Sequence, residues 1–351
     1  MRIASKTDSR KSPEHERRPQ WASPVLSELH KFIFEGMPVR GMLVRLTDAW
    51  QEILARRAAN TATGAYLPPV RQLLGEMAAA SVLMQGNIKF NGALILQIFG
   101  DGPLKVAVCE VQPDFSLRAT CTLVGEVALD STLSQMVNLY NQGRCAITLD
   151  PKDRLPGQQP YQGVVPLFGD KGEKLENISE VLEHYMLQSE QLDTVLVLAA
   201  DDQVAAGLLI QRLPVEGEGN LAGKDVVQRE AELGQSEDFS RIAILAKSLK
   251  REELLTLDAE TVLHRLFWEE PLARFEPLVG EAGPRFACTC NRERVARMVR
   301  SLGTAEVESI IAEQGQVEVG CDFCGVQYRF DPVDAAGLFT AGMQPAGDAL
   351  H

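Results

Sequence analysis

The residues of this chain best suited to chemistry are four cysteines near its C-terminal end. Cys288 and Cys290 stand in the run Cys-Thr-Cys; after thirty intervening residues, Cys321 and Cys324 stand in Cys-Asp-Phe-Cys. Close thiolate pairs form a soft tetrahedral donor set that suits one structural Zn2+, and four sulfurs leave no open position for catalysis. The nearest histidine, His264, lies 24 residues before Cys288, which favours an all-cysteine site. The same sulfurs can do redox chemistry, because oxidants attack the thiolate and zinc keeps it deprotonated. With Zn–S at about 2.3 Å, tetrahedral geometry puts sulfurs roughly 3.8 Å apart. A disulfide needs about 2.05 Å, so bonding and metal holding exclude each other. Rings closed across one or two residues are strained and stay reducible. Cys109, Cys121 and Cys145 lie in apolar, strand-like contexts and are expected to be small core residues.

The elements that must position these sulfurs follow from local signals. Asn291 is a cap for a helix that stops at Gly303, and Thr304 for a second that stops at Gly315. A strand over 316–320 then delivers Cys321, Gly325 relaxes the turn, and Asp331-Pro332 opens a last short helix. Residues 215–224 read as a Gly-rich, charged linker. After it come two short amphipathic helices, one capped by Ser236 and one by Asp258, with little strand character. Upstream, Pro68-Pro69 opens a long helix with Leu73, Leu74, Met77, Ala80 and Met84 at three- and four-residue steps. Strands at 88–99, 104–110 and 115–123 around the turn Gly100-Asp101-Gly102-Pro103 suggest an antiparallel meander. Further strands are expected at 144–149, 162–167, 193–200 and 205–212, with a helix near 176–189.

Mixed helices and antiparallel strands make the fold class α+β. The expected organisation is a disordered tail over 1–22, an α+β core over 23–214, a flexible helical linker over 215–284, and a small zinc-binding unit over 285–351. The net charge of −13 argues against DNA or RNA as main partner. No apolar run is long enough to span a membrane, and the charged N-terminal segment lacks a secretory h-region, so a cytoplasmic protein is expected. An odd number of cysteines, seven, is unlike a secreted disulfide scaffold.

The chain also resembles a known family, the redox-regulated bacterial thirty-three-kilodalton heat-shock chaperones. The likeness runs through VRGMLVRL at 39–46, LLGEMAAA at 73–80, GDGPL at 100–104 and PYQGVVPL at 160–167. It continues in YMLQSEQLDT at 185–194, LLIQRLP at 208–214, LHRLFWEE at 263–270, FACTCNRERV at 286–295 and CDFCGVQYRF at 321–330. The resemblance implies an ATP-independent holdase for unfolding proteins under oxidative and heat stress, inactive while reduced and zinc-bound. It implies that oxidation pairs Cys288 with Cys290 and Cys321 with Cys324, that zinc leaves, that the linker unfolds, and that homodimers form. Clients then pass to an ATP-driven foldase. Apolar linker residues Ile242, Leu245, Leu249, Leu263, Leu266, Phe267 and Trp268 are core in the reduced form and candidates for client contact after it opens. Two departures stand out: the N-terminal tail is long, and Ala205-Ala206-Gly207 replaces an expected glycine pair.

Two other classes fit parts of the sequence. A nucleic-acid-binding zinc ribbon would need a basic excess, but residues 285–330 hold six Arg against six acidic residues. A thiol oxidoreductase would place Cys-x-x-Cys at a helix start after a strand, whereas the residues after Cys324 read as strand. Arg292, Arg294, Arg297 and Arg300 are expected to form a solvated helix face.

Overall fold

The computed structural model describes residues 25–60, 64–154, 157–213 and 226–340. The expected tail over 1–22 and the linker over 215–224 lie outside the described residues. In chain order the elements begin with β1 (Glu28–Phe34), β2 (Val39–Leu46), α1 (Asp48–Ala59) and α2 (Pro68–Asn87). Next come β3 (Gly92–Phe99), β4 (Leu104–Val111), β5 (Ser116–Leu123), α3 (Leu133–Val137), β6 (Arg144–Pro151) and β7 (Tyr161–Pro166). Then follow α4 (Ile178–Glu190), β8 (Thr194–Ala200), β9 (Ala205–Arg212), α5 (Val226–Lys247), α6 (Arg251–Thr256) and α7 (Ala259–Phe267). The last part holds β10 (Leu272–Arg274), β11 (Leu278–Val279), β12 (Arg285–Phe286), α8 (Arg292–Leu302) and α9 (Thr304–Gln314). It ends with β13 (Val317–Gly320), β14 (Gln327–Phe330) and α10 (Pro332–Thr340). The class is α+β, as the sequence indicates.

One sheet runs β10-β1-β2-β9-β8, with β11 also on β1; the other runs β12-β5-β4-β3-β6-β7. The meander β3–β5 forms as expected. α2 lies between the two sheets. Its three- and four-residue spacing reads as one apolar face, but it is buried on nearly every side from Val70 to Gln85, as a helix between two sheets must be. Small residues let the layers close. A Cβ at Gly75 would meet Ala200 Cβ at 2.4 Å and Trp50 Cζ2 at 3.0 Å. Gly→Ala in a helix ordinarily gains about 1 kcal/mol, yet overpacking costs roughly 1–3 kcal/mol. Gly75→Ala is therefore expected to lower the melting temperature in scanning calorimetry; an unchanged or raised value would show that the layers give way freely.

α5, α6 and α7 cover the opposite face of the first sheet and share a second core with it, including Phe32, Phe34, Leu43, Ile210, Leu263 and Phe267. Phe267 packs edge-on to Phe34 at a centroid distance of 5.1 Å. Asp258 caps α7 as expected, its Oδ1 accepting from Thr261 N at 2.8 Å. Ser236, expected as a cap, falls inside α5, because the helix begins ten residues earlier at Val226. The linker region also has strand character that composition does not reveal. β10 and β11 pair antiparallel with β1, and β12 pairs parallel with β5. Strands of two or three residues carry no periodicity; the free edges of longer strands define them.

Ionic clasps hold the helical layer down. Arg45 on β2 donates to the carbonyls of Leu254 (2.6 Å) and Leu255 (3.2 Å) at the end of α6. Arg251 donates to Ala200 O and lies 3.5 Å from the carboxylate of Glu76 on α2. Burial pushes the Glu76 carboxyl up to about 7, against the opposing pull of Gln72 and Arg251.

Candidate metal centre

Two loops carry the cysteines, and each is fixed by its neighbours. Asn291 Oδ1 accepts from Arg294 N at 2.8 Å, starting α8 immediately after Cys290. Gly303 ends α8 at φ +89°, and Gly315 ends α9 in the left-handed region at φ +79°. Thr304, expected as a cap, is instead the first residue of α9, with Gly303 at the cap position, since α8 and α9 follow one another without a spacer. β13 and β14 pair as a hairpin whose turn is Cys321–Val326. Cys321 N donates to Val326 O (2.9 Å) and Gly325 N to Cys321 O (2.8 Å), with Gly325 at φ +74°. Asp331 Oδ1 accepts from Asp334 N at 2.7 Å and caps α10. The core of this unit is small: Ala296, Val299, Val307, Val317, Phe330 and Ala335.

These loops bring Cys288, Cys290, Cys321 and Cys324 together, with all four sulfurs within 4.8 Å of one another. Two short contacts run between the loops: Cys288 Sγ to Cys321 Sγ at 3.7 Å and Cys290 Sγ to Cys324 Sγ at 3.3 Å. That spacing fits the roughly 3.8 Å of a tetrahedral thiolate-bound ion. The electrostatics fit as well. Burial opposes ionisation of Cys288, but Cys290 and the Arg118 guanidinium outweigh it and bring the thiol down to about 7. Burial and neighbouring sulfurs push Cys321 and Cys324 up. Four adjacent sulfurs cannot all ionise unaided, and a divalent cation among them removes that conflict.

Cys109, Cys121 and Cys145 are buried, as expected, and burial pushes their thiols up to about 12, 11 and 12. They are inert by environment. Arg292 donates to Asp334 and Arg329 O, Arg294 donates to Thr289, and all four α8 arginines are exposed.

The sequence reading misses the residues that surround the sulfurs from outside the C-terminal unit. Arg118 on β5 lies 3.7 Å from Cys288 Sγ and stacks over Phe323 at 4.2 Å. Thr120 donates to Asp322 O (3.0 Å), and Arg56 on α1 donates to Cys324 O (3.5 Å). Within the unit, Tyr328 donates to Cys290 Sγ at 3.1 Å. No spacing signal links residues about 170 apart; tertiary contacts such as the pairing of β12 with β5 bring them together.

Of the linker residues singled out for client contact, Ile242, Leu249, Leu263, Leu266 and Phe267 are buried under the helical layer, and Leu245 is half-buried. Trp268 is a correction: expected in the core, it is 68% exposed, because it sits at the C-cap of α7, one residue past the buried face.

A family model described as Hsp33 protein matches residues 27–331. The chain belongs to the Hsp33 family. It is 46% identical over 325 residues to the 33 kDa chaperonin of Chromobacterium violaceum, covering 92% of this chain and 98% of that relative. It is 42% identical over 311 residues to the 33 kDa chaperonin of Neisseria meningitidis, covering 88% and 90%. A solved structure of the 33 kDa chaperonin (heat shock protein 33 homolog) of Thermotoga maritima aligns with a TM-score of 0.66 at 21% identity, covering 90% of this chain and 98% of that one. That likeness carries the Hsp33 fold. Hsp33 membership makes this a chaperone-family protein with four clustered cysteines able to hold a metal ion. Among the described residues no helix is long and apolar enough to cross a membrane.

Proposed function

We propose that this chain is a cytoplasmic, ATP-independent holdase for unfolding proteins, kept inactive by Zn2+ on Cys288, Cys290, Cys321 and Cys324 and activated by their oxidation. The observation that carries the reading is the four-sulfur cluster set in a unit with little core of its own. Zinc bound there supplies folding free energy to the unit. Structural zinc contributes on the order of 10–16 kcal/mol in small domains, and six buried side chains, three of them alanine or phenylalanine-sized extremes, do not replace it.

Oxidation joins sulfurs and frees the metal. Two zinc-held thiolates give two electrons to one hydrogen peroxide, which takes two protons from solvent, leaving one disulfide and two waters; a second peroxide does the same for the other pair, and no thiolate remains to hold the metal. In the closed site the short contacts cross between loops; once the loops part, the backbone still holds Cys288 near Cys290 and Cys321 near Cys324, which favours those pairs. The path to the client surface is short. Between Phe267 and Cys288 the chain is held by β10 and β11 on β1, by β12 on β5, and by the ion pairs Arg241–Glu270, Arg274–Glu260 and Arg285–Asp114. Pairings of two or three residues have little stability alone. Their loss loosens α5–α7 and uncovers the apolar face around Phe32, Phe34, Leu43 and Ile210 together with the buried faces of the helices themselves. Two opened chains then associate as a homodimer, and clients pass to an ATP-driven foldase.

Thiol-oxidoreductase activity is disfavoured because Cys321–Cys324 sits in a hairpin turn rather than at a helix start. The test is peroxide with mild heating, reading zinc release, free thiols, disulfide mapping and suppression of a client's thermal aggregation together. Aggregation is expected to be suppressed only after about one equivalent of zinc is released. Full suppression by the reduced, zinc-loaded protein would overturn the reading.

A further inference from the structure

We propose that Arg118 is a positioning residue that latches the cysteine site to the N-terminal sheet and reports the state of its sulfurs to β5. The inference rests on the metal-switch reading above and extends it to a residue about 170 positions away from the first cysteine.

The geometry is specific. Arg118 is largely buried and is held from behind by Glu110 on β4, with Nη2–Oε2 at 2.6 Å and Nε–Oε2 at 3.1 Å. Both partners are nearly enclosed, with side chains 12% and 13% exposed. With its rotamer set this way, the guanidinium meets both cysteine loops at once: Nη1 reaches Cys288 Sγ, and the plane lies over the Phe323 ring between Cys321 and Cys324. The same strand anchors the first loop through Ala287 N, which donates to Leu117 O at 3.0 Å. It anchors the second through Thr120 and Asp322.

The charges explain why this contact can report oxidation. A divalent ion held by four thiolates leaves the cluster net anionic, and a buried guanidinium that donates to one sulfur complements it. When Cys288 enters a disulfide its sulfur loses the negative charge and most of its acceptor strength. Arg118 then keeps Glu110 and its stacking on Phe323, and the contact that held the first loop on β5 weakens as the metal goes. The latch thus ties β12 pairing, one of the short pairings between the metal unit and α7, to the chemical state of the sulfurs.

The test uses the full-length, reduced, metal-loaded protein and two variants. In the double variant Glu110→Gln with Arg118→Met, the buried pair is replaced without leaving a lone charge. It should keep one equivalent of metal, while the Ala287 amide exchanges roughly tenfold faster and peroxide releases metal several-fold faster. Arg118→Lys retains a cation beside Cys288 and should release metal within about twofold of the natural chain. If the methionine variant matches the lysine variant in metal release, Arg118 acts by packing alone and the proposal fails. Natural Ala287 exchange in the double variant would also overturn it. Both readouts are made without a client, so a protein that lacks holdase activity but shows these shifts sinks the functional reading and leaves the latch standing.

Discussion

Cys324→Ala is expected to lose stoichiometric metal and, in reductant, to show rapid amide exchange throughout α8, α9, β13, β14 and α10. Three sulfurs leave an open coordination position, and the structural role of the metal depends on closed four-sulfur binding. The unit has no second source of comparable stability: its fully packed residues are Val299, Val307, Val317 and Phe330, with two alanines. Losing most of a contribution on the order of 10 kcal/mol leaves such a unit unfolded. The damage should stop at the core around α2, which owes nothing to the metal. Cys145→Ala is the matched comparison. Cys145 is fully buried against the second sheet's core, so its loss should reduce global stability and leave metal content intact. Should Cys324→Ala bind metal normally and keep α8 and α9 protected, the sulfur clamp is not what folds this region.

Phe267→Ala is expected to open the helical layer while the metal stays bound. Phe267 fills the space between α7 and β1, 5.1 Å from Phe34 and 6.1 Å from Phe32 by ring centroids. Truncating a buried phenylalanine costs about 3–5 kcal/mol. The layer is attached through one face and a few clasps, so that loss falls on local docking before it reaches the α2 core. The reduced variant should then bind an apolar dye, become sensitive to protease between α5 and α7, and suppress client aggregation without peroxide. Trp268→Ala, at an exposed neighbour, should change stability by less than about 0.5 kcal/mol. A Phe267→Ala protein whose layer is cleaved readily but which does not hold clients would remove the covered sheet face and its helices from the client surface.

Much of the site is legible in the chain itself. Cysteine spacing names the four ligand candidates, and short-range caps at Asn291, Asp258 and Asp331 place helices to within a residue, because a cap is a bond between neighbours. The meander strands are equally local: alternation and the Gly100–Pro103 turn suffice. Thr304 and Ser236 show the limit of such signals. Each has a side chain suited to a cap, but Thr304 follows Gly303 directly into α9, and α5 already runs through Ser236.

What residue order alone decides about this protein is its chemistry: which atoms can bind a metal or be oxidised, and which segments prefer to be helix or strand. Those depend on residue type and on contacts a few positions away. Three-dimensional packing decides the consequences. It encloses α2 on nearly every side, lays β10, β11 and β12 along existing strand edges, turns Trp268 outward, and brings Arg118 to Cys288 across 170 residues. These outcomes depend on which surfaces meet, and no local preference encodes a meeting between distant strands.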